Sequence, residues 1–266
     1  MSAILNPLTS PAPSEVPLPR APLTRVIAQV RFPLITSVEL QEFIAPFQEA
    51  IRKDYPVLRH ERAGGIVLGP HGAAPLPESR VWRFSDASTH WRATLAPEFV
   101  ALETTSYTSR EDMLDRLGSL LKAIETHVNP QLVDRVGVRY IDRIAEANLD
   151  RLGAMLRPEI AGLLSAGIGA AAIHSLSENI FALPGESRRL LARWGLIPEN
   201  ATYDANALEA IPQKSWILDL DVFDDESRPF DATDLTTLVQ SFAETSYKFF
   251  RWAVTDEFLR EYGASI

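Results

Sequence analysis

Ten consecutive residues near the middle of the chain, Arg135-Val-Gly-Val-Arg-Tyr-Ile-Asp-Arg-Ile144, alternate between two chemically different sets. In an extended strand successive side chains point to opposite faces. Val136, Val138, Tyr140 and Ile144 therefore share one face, and Arg135, Arg139 and Arg143 share the other. The same alternation occurs earlier, in Arg25-Val-Ile-Ala-Gln-Val-Arg-Phe32, where Val26, Ala28, Val30 and Phe32 oppose Arg25, Gln29 and Arg31. Two half-buried strands of this kind restrict the chain to a sheet protein, and the echo between them points to two similar halves.

The order of elements extends the echo. Residues 1–22 carry six prolines and few large apolar side chains, so they are expected as a disordered proline-rich arm. After the first strand, Ser37 is placed to cap a helix bearing Leu40, Phe43, Ile44, Phe47 and Ile51, bent at Pro46 and stopped at Tyr55-Pro56. Short strands follow at 66–68, 81–85, 91–95 and 99–104. Ser109 with Asp112 then opens a long helix with the apolar stripe Met113, Leu117, Leu120, Leu121, Ile124. The second half restarts with the strand at 134–144, a helix over 150–164, and strands at 171–181, 188–195 and 216–222. A last helix begins near Thr233, and 197–213 reads as an irregular connection. The expected architecture is α+β: an arm (1–22), a first half (23–131) and a second half (132–266), each running strand, helix, three or four antiparallel strands, helix. This order resembles the TATA-binding-protein-like arrangement of a curved antiparallel sheet with helices on its convex side; a helix-grip sheet around a cavity is the alternative.

Composition removes several functional classes. With no cysteine, disulfides, thiolate metal sites and a cysteine nucleophile are excluded. The formal charge of −9 argues against broad nucleic-acid binding, because phosphate contacts need clustered Lys and Arg. No apolar run reaches the ~18 residues of a membrane span, and the N-terminus lacks a signal-peptide pattern, so a cytoplasmic protein is expected.

The central motif, the segment Pro22–Phe32, the strand Trp216-Ile-Leu-Asp-Leu-Asp-Val222 and the Phe-rich C-terminal helix together resemble an uncharacterised, sporadically distributed bacterial family. The family's signature is similar to Arg-x-Gly-x-Arg-Tyr-Ile-Asn-Arg-Ile. Arg135, Gly137, Arg139, Tyr140, Ile141, Arg143 and Ile144 match it, and Asp142 stands where Asn is usual. The resemblance covers nearly the whole chain after the arm. It implies no activity, and the sporadic distribution implies mobile-element or phage-defence cargo.

The arginine row is the first candidate for chemistry. Arg135, Arg139 and Arg143 could grip phosphates or carboxylates, with Tyr140 and Asp142 beside them as further ligand-binding candidates. Against this, Asp219 and Asp221 alternate with Trp216, Leu218, Leu220 and Val222, and strand pairing would let those acids neutralise Arg139 and Arg143 across the ladder. Asp142 falls on the apolar face by parity and needs either a bulge or a buried donor. Asp219 and Asp221 are also a metal candidate, although no calcium-loop pattern accompanies them. The histidines lack zinc spacing, and no nucleophile elbow is present, so no catalytic residue is assigned. The glycines around Gly64-Gly65 and Gly69-Pro70-His71-Gly72 read as a hairpin connection rather than a phosphate loop. Phe249, Phe250 and Trp252 surround the last helix too broadly to face one sheet, which makes them partner-binding candidates.

From the residues and the resemblance, the expected function is a non-enzymatic binding, accessory or sensor protein, without cofactor and with another protein as partner. A homo-oligomer is the second partner expectation. A metal-dependent hydrolase or phosphate-ester enzyme using Asp219, Asp221, Arg139 and Arg143 is the alternative function, with a small-ligand helix-grip pocket the third.

Overall fold

A computed structural model describes residues 6–63, 66–69, 72–75, 79–185 and 187–265. The expectation at Gly64, Gly65, Pro70 and His71 lies outside the described residues. In chain order the elements are β1 (Leu23–Arg31), α1 (Gln41–Ile51), β2 (Val57–Ala63), β3 (Ile66–Gly69), β4 (Gly72–Pro75), β5 (Ser79–Ser85), β6 (Trp91–Ala96), β7 (Phe99–Thr104) and α2 (Arg110–His127). There follow β8 (Leu132–Val133), β9 (Arg135–Ala145), α3 (Leu152–Met155), α4 (Pro158–Ala161), β10 (Ser175–Ala182), β11 (Arg188–Ile197), β12 (Ser215–Asp224), β13 (Arg228–Pro229), α5 (Ala232–Ala253) and α6 (Asp256–Glu261). The fold is α+β, with an antiparallel sheet of nine strands in the order β10-β11-β12-β9-β1-β7-β6-β5-β2. No described helix is long and apolar enough to cross a membrane.

The chain divides into two compact units, one of residues 27–137 and 225–240, the other of 1–26, 138–224 and 241–266. In the first, β5, β6 and β7 bury Phe84, Leu95 and Leu102, and helical spacing buries Ile44, Phe47, Leu117 and Leu121. Phe47 meets Phe84 edge-on at 5.4 Å between ring centroids. The Trp82 indole N–H donates to the Val38 carbonyl at 2.7 Å, which satisfies its one polar atom inside the core. Ser109 caps α2, its hydroxyl accepting from the Asp112 amide at 3.1 Å. Ser37 caps nothing. Thr36–Glu39 form a 3-10 turn, and α1 starts after Leu40 without a side-chain cap. Asp231 performs that service for α5, its carboxylate accepting from the Thr233 and Asp234 amides at 2.9 Å each.

The second unit departs most from the sequence pattern between β9 and β10. A single helix is expected over 150–164; instead α3 and α4 are separate short helices flanked by 3-10 turns. Pro158 is the cause. A proline disfavours helical geometry in the residue before it, and Arg157 is extended at φ −63°, ψ 147°. Gly162, in the left-handed region at φ 50°, ends α4. The register of β10 on β11 requires another glycine: a Cβ on Gly195 would stand 1.8 Å from the Ser175 carbonyl oxygen.

One face of β11 and β12 buries Leu190, Ala192, Trp216, Leu218, Leu220 and Val222. Helices α5 and α6 supply the aromatic layer. Phe249 lies 5.8 Å from Phe181, 6.3 Å from Trp194 and 5.3 Å from Trp252, and Phe250 meets Phe258 edge-on at 5.6 Å. Part of the proline-rich segment, expected as a disordered arm, lies against these helices. The Tyr247 hydroxyl accepts from the Val16 amide at 2.8 Å and donates to the Ser14 carbonyl at 3.2 Å, and the Arg20 guanidinium reaches the Glu261 carbonyl at 2.6 Å.

Candidate functional site

The other face of the same strands is polar, and its charges are ordered by register. Glu178 on β10 stands opposite Arg193 on β11, and Arg193 opposite Asp219 on β12. The next strand, β9, brings Arg139. Acid and base thus alternate across four neighbouring strands, the cross-strand pairing that stabilises a sheet face. Arg139 forks onto Asp219, with Nε to Oδ1 at 2.8 Å and Nη2 to Oδ2 at 2.9 Å. Asp219 is completely buried, and its Oδ2 also accepts from the Tyr203 hydroxyl at 3.0 Å and from Arg193 Nη1 at 3.4 Å. Arg193 donates in turn to Glu178 through Nε.

The ladder is covered by residues 198–214. A hydrogen bond from the Asn200 amide to the Ile211 carbonyl (2.7 Å) closes the neck of this loop, and Asn200 turns the chain at φ 54°. Inside, the Asp204 carboxylate accepts from the Asn206 amide, the Leu208 amide donates to the Asp204 carbonyl, and Ala207 and Leu208 are buried. Such a compact loop with adjoining ends is an Ω-loop. Its apex is held from below by arginines. Arg139 Nη1 bonds the Asp204 carboxylate at 2.7 Å, Arg25 Nη1 the Asn206 carbonyl at 3.0 Å, and Arg143 Nη2 the Glu209 carbonyl at 2.7 Å.

Proton affinities follow from this packing. Burial pulls Arg139 down, but the bonds and charge of Asp219 and then of Asp204 outweigh it, so the guanidinium is held more firmly protonated than usual. For Asp204 burial acts upward and is overcome by Arg139, leaving the carboxyl below its ordinary range. Burial, then the Asp219 charge, pushes the Tyr203 phenol up. Arg143 moves the opposite way from Arg139: burial lowers it, and no carboxylate forms an ion pair with it among the described residues. Its Nε is buried without a hydrogen-bond partner.

The sequence candidates separate accordingly. Arg139 and Asp219 come together. Four residues apart on a strand, Arg139 and Arg143 have Cα atoms about 13 Å apart, so they hold different parts of the loop. Arg135 pairs with Asp225 at 3.5 Å. Tyr140 is half-buried. Asp221 stands opposite Leu191 and is half-buried. Among the described residues no group of three or more His, Asp and Glu could hold a metal ion. Phe249 is buried in the aromatic layer, and Phe250 and Trp252 are half-buried in the same layer. Asp142 is neither turned outward nor bonded by a buried donor among the described residues. It is 7% exposed, and burial followed by the Asp219 charge pushes its pKa up to about 7.

Residues missed by sequence reasoning are those of the Ω-loop, Tyr203 and Asp204. The signal available was the acid-aromatic pair inside a stretch with no periodicity, which is too common to single out.

No family model matches the chain, and no curated protein does either. Function therefore rests on what the residues can do. The Arg139–Asp219 pair is engaged by internal partners, Asp204 on the arginine and Tyr203 and Arg193 on the acid.

Proposed function

We propose that the protein is a non-catalytic binding component, an accessory or sensor protein that takes up an extended segment of another polypeptide along β10. The observation that carries this reading is the closed Glu178–Arg193–Asp219–Arg139 ladder beside an open sheet edge. The ladder leaves the strongest charges of the face engaged with one another, while β10 ends the sheet. An edge strand presents unpaired backbone groups and is a template for strand addition. Ile180 within β10 and Ile173 just before it are 65% and 75% exposed. Glu178, the strand's acid, is matched by Arg193, so the fitting segment is neutral and apolar rather than basic. The opposite edge, β2, carries Arg59, His60, Glu61 and Arg62, the charged composition that guards an edge against pairing.

The reading of two duplicated halves belongs to the same proposal. Its support is the strand order, β1-β7-β6-β5 for the first half and β9-β12-β11-β10 for the second, each starting from its Arg-rich strand. A place among mobile-element or defence cargo rests on the resemblance carried by Arg135–Ile144 alone.

A phosphate-ester enzyme using Asp219 is the competing reading, and one assay separates them. Phosphomonoester and phosphodiester turnover with magnesium or manganese is expected to be absent in the wild-type protein. Turnover that Asp219→Asn abolishes, with the fold intact by circular dichroism, overturns the non-catalytic reading.

A further inference from the structure

We propose that the Ω-loop Asn200–Ile211 is a displaceable cover over an anion site centred on Arg143, and that the site takes a phosphate-bearing ligand. This goes beyond the docking of a polypeptide at β10 and does not depend on it.

The argument begins with charge accounting on the covered face. Arg139 is matched by two carboxylates, Asp219 and Asp204, and Arg193 by Glu178 and Asp219. Arg143 feels the Glu209 charge, but no carboxylate forms an ion pair with it among the described residues. Its one bond runs from Nη2 to a neutral carbonyl, that of Glu209, and its Nε is buried and unsatisfied. A guanidinium left in this condition favours a charged acceptor, because hydrogen bonds to an anion are roughly twice as strong as those to a neutral group. Two oxygens of one phosphate can also engage Nε and Nη2 together, which a single carbonyl cannot do.

The cover has the construction of a part that moves as a unit. Its neck bond, Asn200 N–H to Ile211 O, and its internal bonds at Thr202, Asp204 and Leu208 stay within the loop. The bonds from arginines to its apex end on acceptors that a phosphate replaces in kind, the carbonyls of Asn206 and Glu209 and the carboxylate of Asp204. Release of Asp204 does not dismantle the face. Arg139 bonds Asp204 through Nη1 only, and keeps its fork to Asp219 through Nε and Nη2. The freed Nη1 is then a second contact for an extended anion reaching along β9 from Arg143. Opposing displacement are the buried Ala207 and Leu208 and the Tyr203 hydroxyl's bond to Asp219 at 3.0 Å, so the closed form is the resting state and the ligand must supply the difference.

Hydrogen-exchange mass spectrometry on the full chain tests this, with inorganic tripolyphosphate as the probe and sodium chloride at equal ionic strength as the control. Amides of residues 200–211 are expected to exchange at least several-fold faster with tripolyphosphate and to be unchanged by chloride. Arg143→Met should abolish the response. Asp204→Asn, which weakens the closed form without touching Arg143, should lower the tripolyphosphate Kd several-fold. The proposal is overturned if the loop amides are indifferent to tripolyphosphate in both the wild type and Asp204→Asn, or if Arg143→Met responds as the wild type does. Neither result bears on whether a polypeptide docks at β10.

Discussion

Replacing Asp142 with Asn should change the pH dependence of stability in a direction fixed by the site. The carboxyl is 7% exposed, has no hydrogen-bond donor among the described residues, and lies within the field of Asp219, so it is protonated in the folded state up to about pH 7. In the unfolded chain its pKa is near the ordinary 3.8. Because the folded state holds the proton more tightly, this group's stabilising contribution is full below about pH 4 and is lost as pH rises to 7. The interval of 7 − 3.8 = 3.2 units corresponds to about 4 kcal/mol at about 1.36 kcal/mol per unit. Asn keeps the shape and is neutral at every pH. Urea unfolding of the two proteins at matched pH isolates the single group, since all other titrations cancel. The difference, variant minus wild type, should rise by about 2 kcal/mol between about pH 5.5 and 7 and stay level above that. A difference that is flat with pH, or a variant less stable than the wild type at about pH 8.5, refutes the assignment of a buried neutral acid.

Other consequences follow from the same structure. Arg139→Ala should cost about 3–5 kcal/mol in urea unfolding, because it removes the forked partner of the fully buried Asp219 and leaves it only Tyr203 and the longer contact to Arg193. Arg139→Met with Asp219→Leu should recover most of that, since replacing a whole buried pair by apolar groups is often neutral; equal losses in single and double variants would sink the pair as described. Ser109→Ala should cost about 0.5–2 kcal/mol through the lost α2 cap, and no change by the same measurement would contradict the cap. Phe249→Ala should cost about 3–5 kcal/mol by opening a hole among Phe181, Trp194 and Trp252, whereas a variant as stable as the wild type would show that these rings are not core.

Much of this fold is legible from local pattern. β7 runs from Phe99 to Thr104, the short apolar strand expected between turn residues, and α2 begins at the Ser109 cap with Asp112 as its first-turn acid. Such signals are local, carried within one element by spacing and capping. β2, β4, β8 and β13 escape because strands that are short or rich in charge have no alternation to detect; β2 reads Val-Leu-Arg-His-Glu-Arg-Ala. The helix expected over 150–164 fails at Pro158, where backbone geometry overrides an apolar pattern. At the site, parity sets Asp219 and Asp221 against Arg139 and Arg143 without choosing the pairs, and the structure joins Arg139 to Asp219. Parity cannot anticipate Asp204, whose position depends on an Ω-loop folded by its own short-range bonds, nor that Arg143 meets a carbonyl instead of Asp221.

The most direct test of the central claim is native mass spectrometry of tagged protein recovered gently from its own host, in the wild type and in the Ile173→Asp/Ile180→Asp double variant. Both substitutions lie at highly exposed positions, so the fold should be preserved. The account predicts a stoichiometric second polypeptide on the wild type that is absent from the variant. A partner retained equally by the variant, or a wild type that carries no second polypeptide under these conditions, contradicts docking at β10.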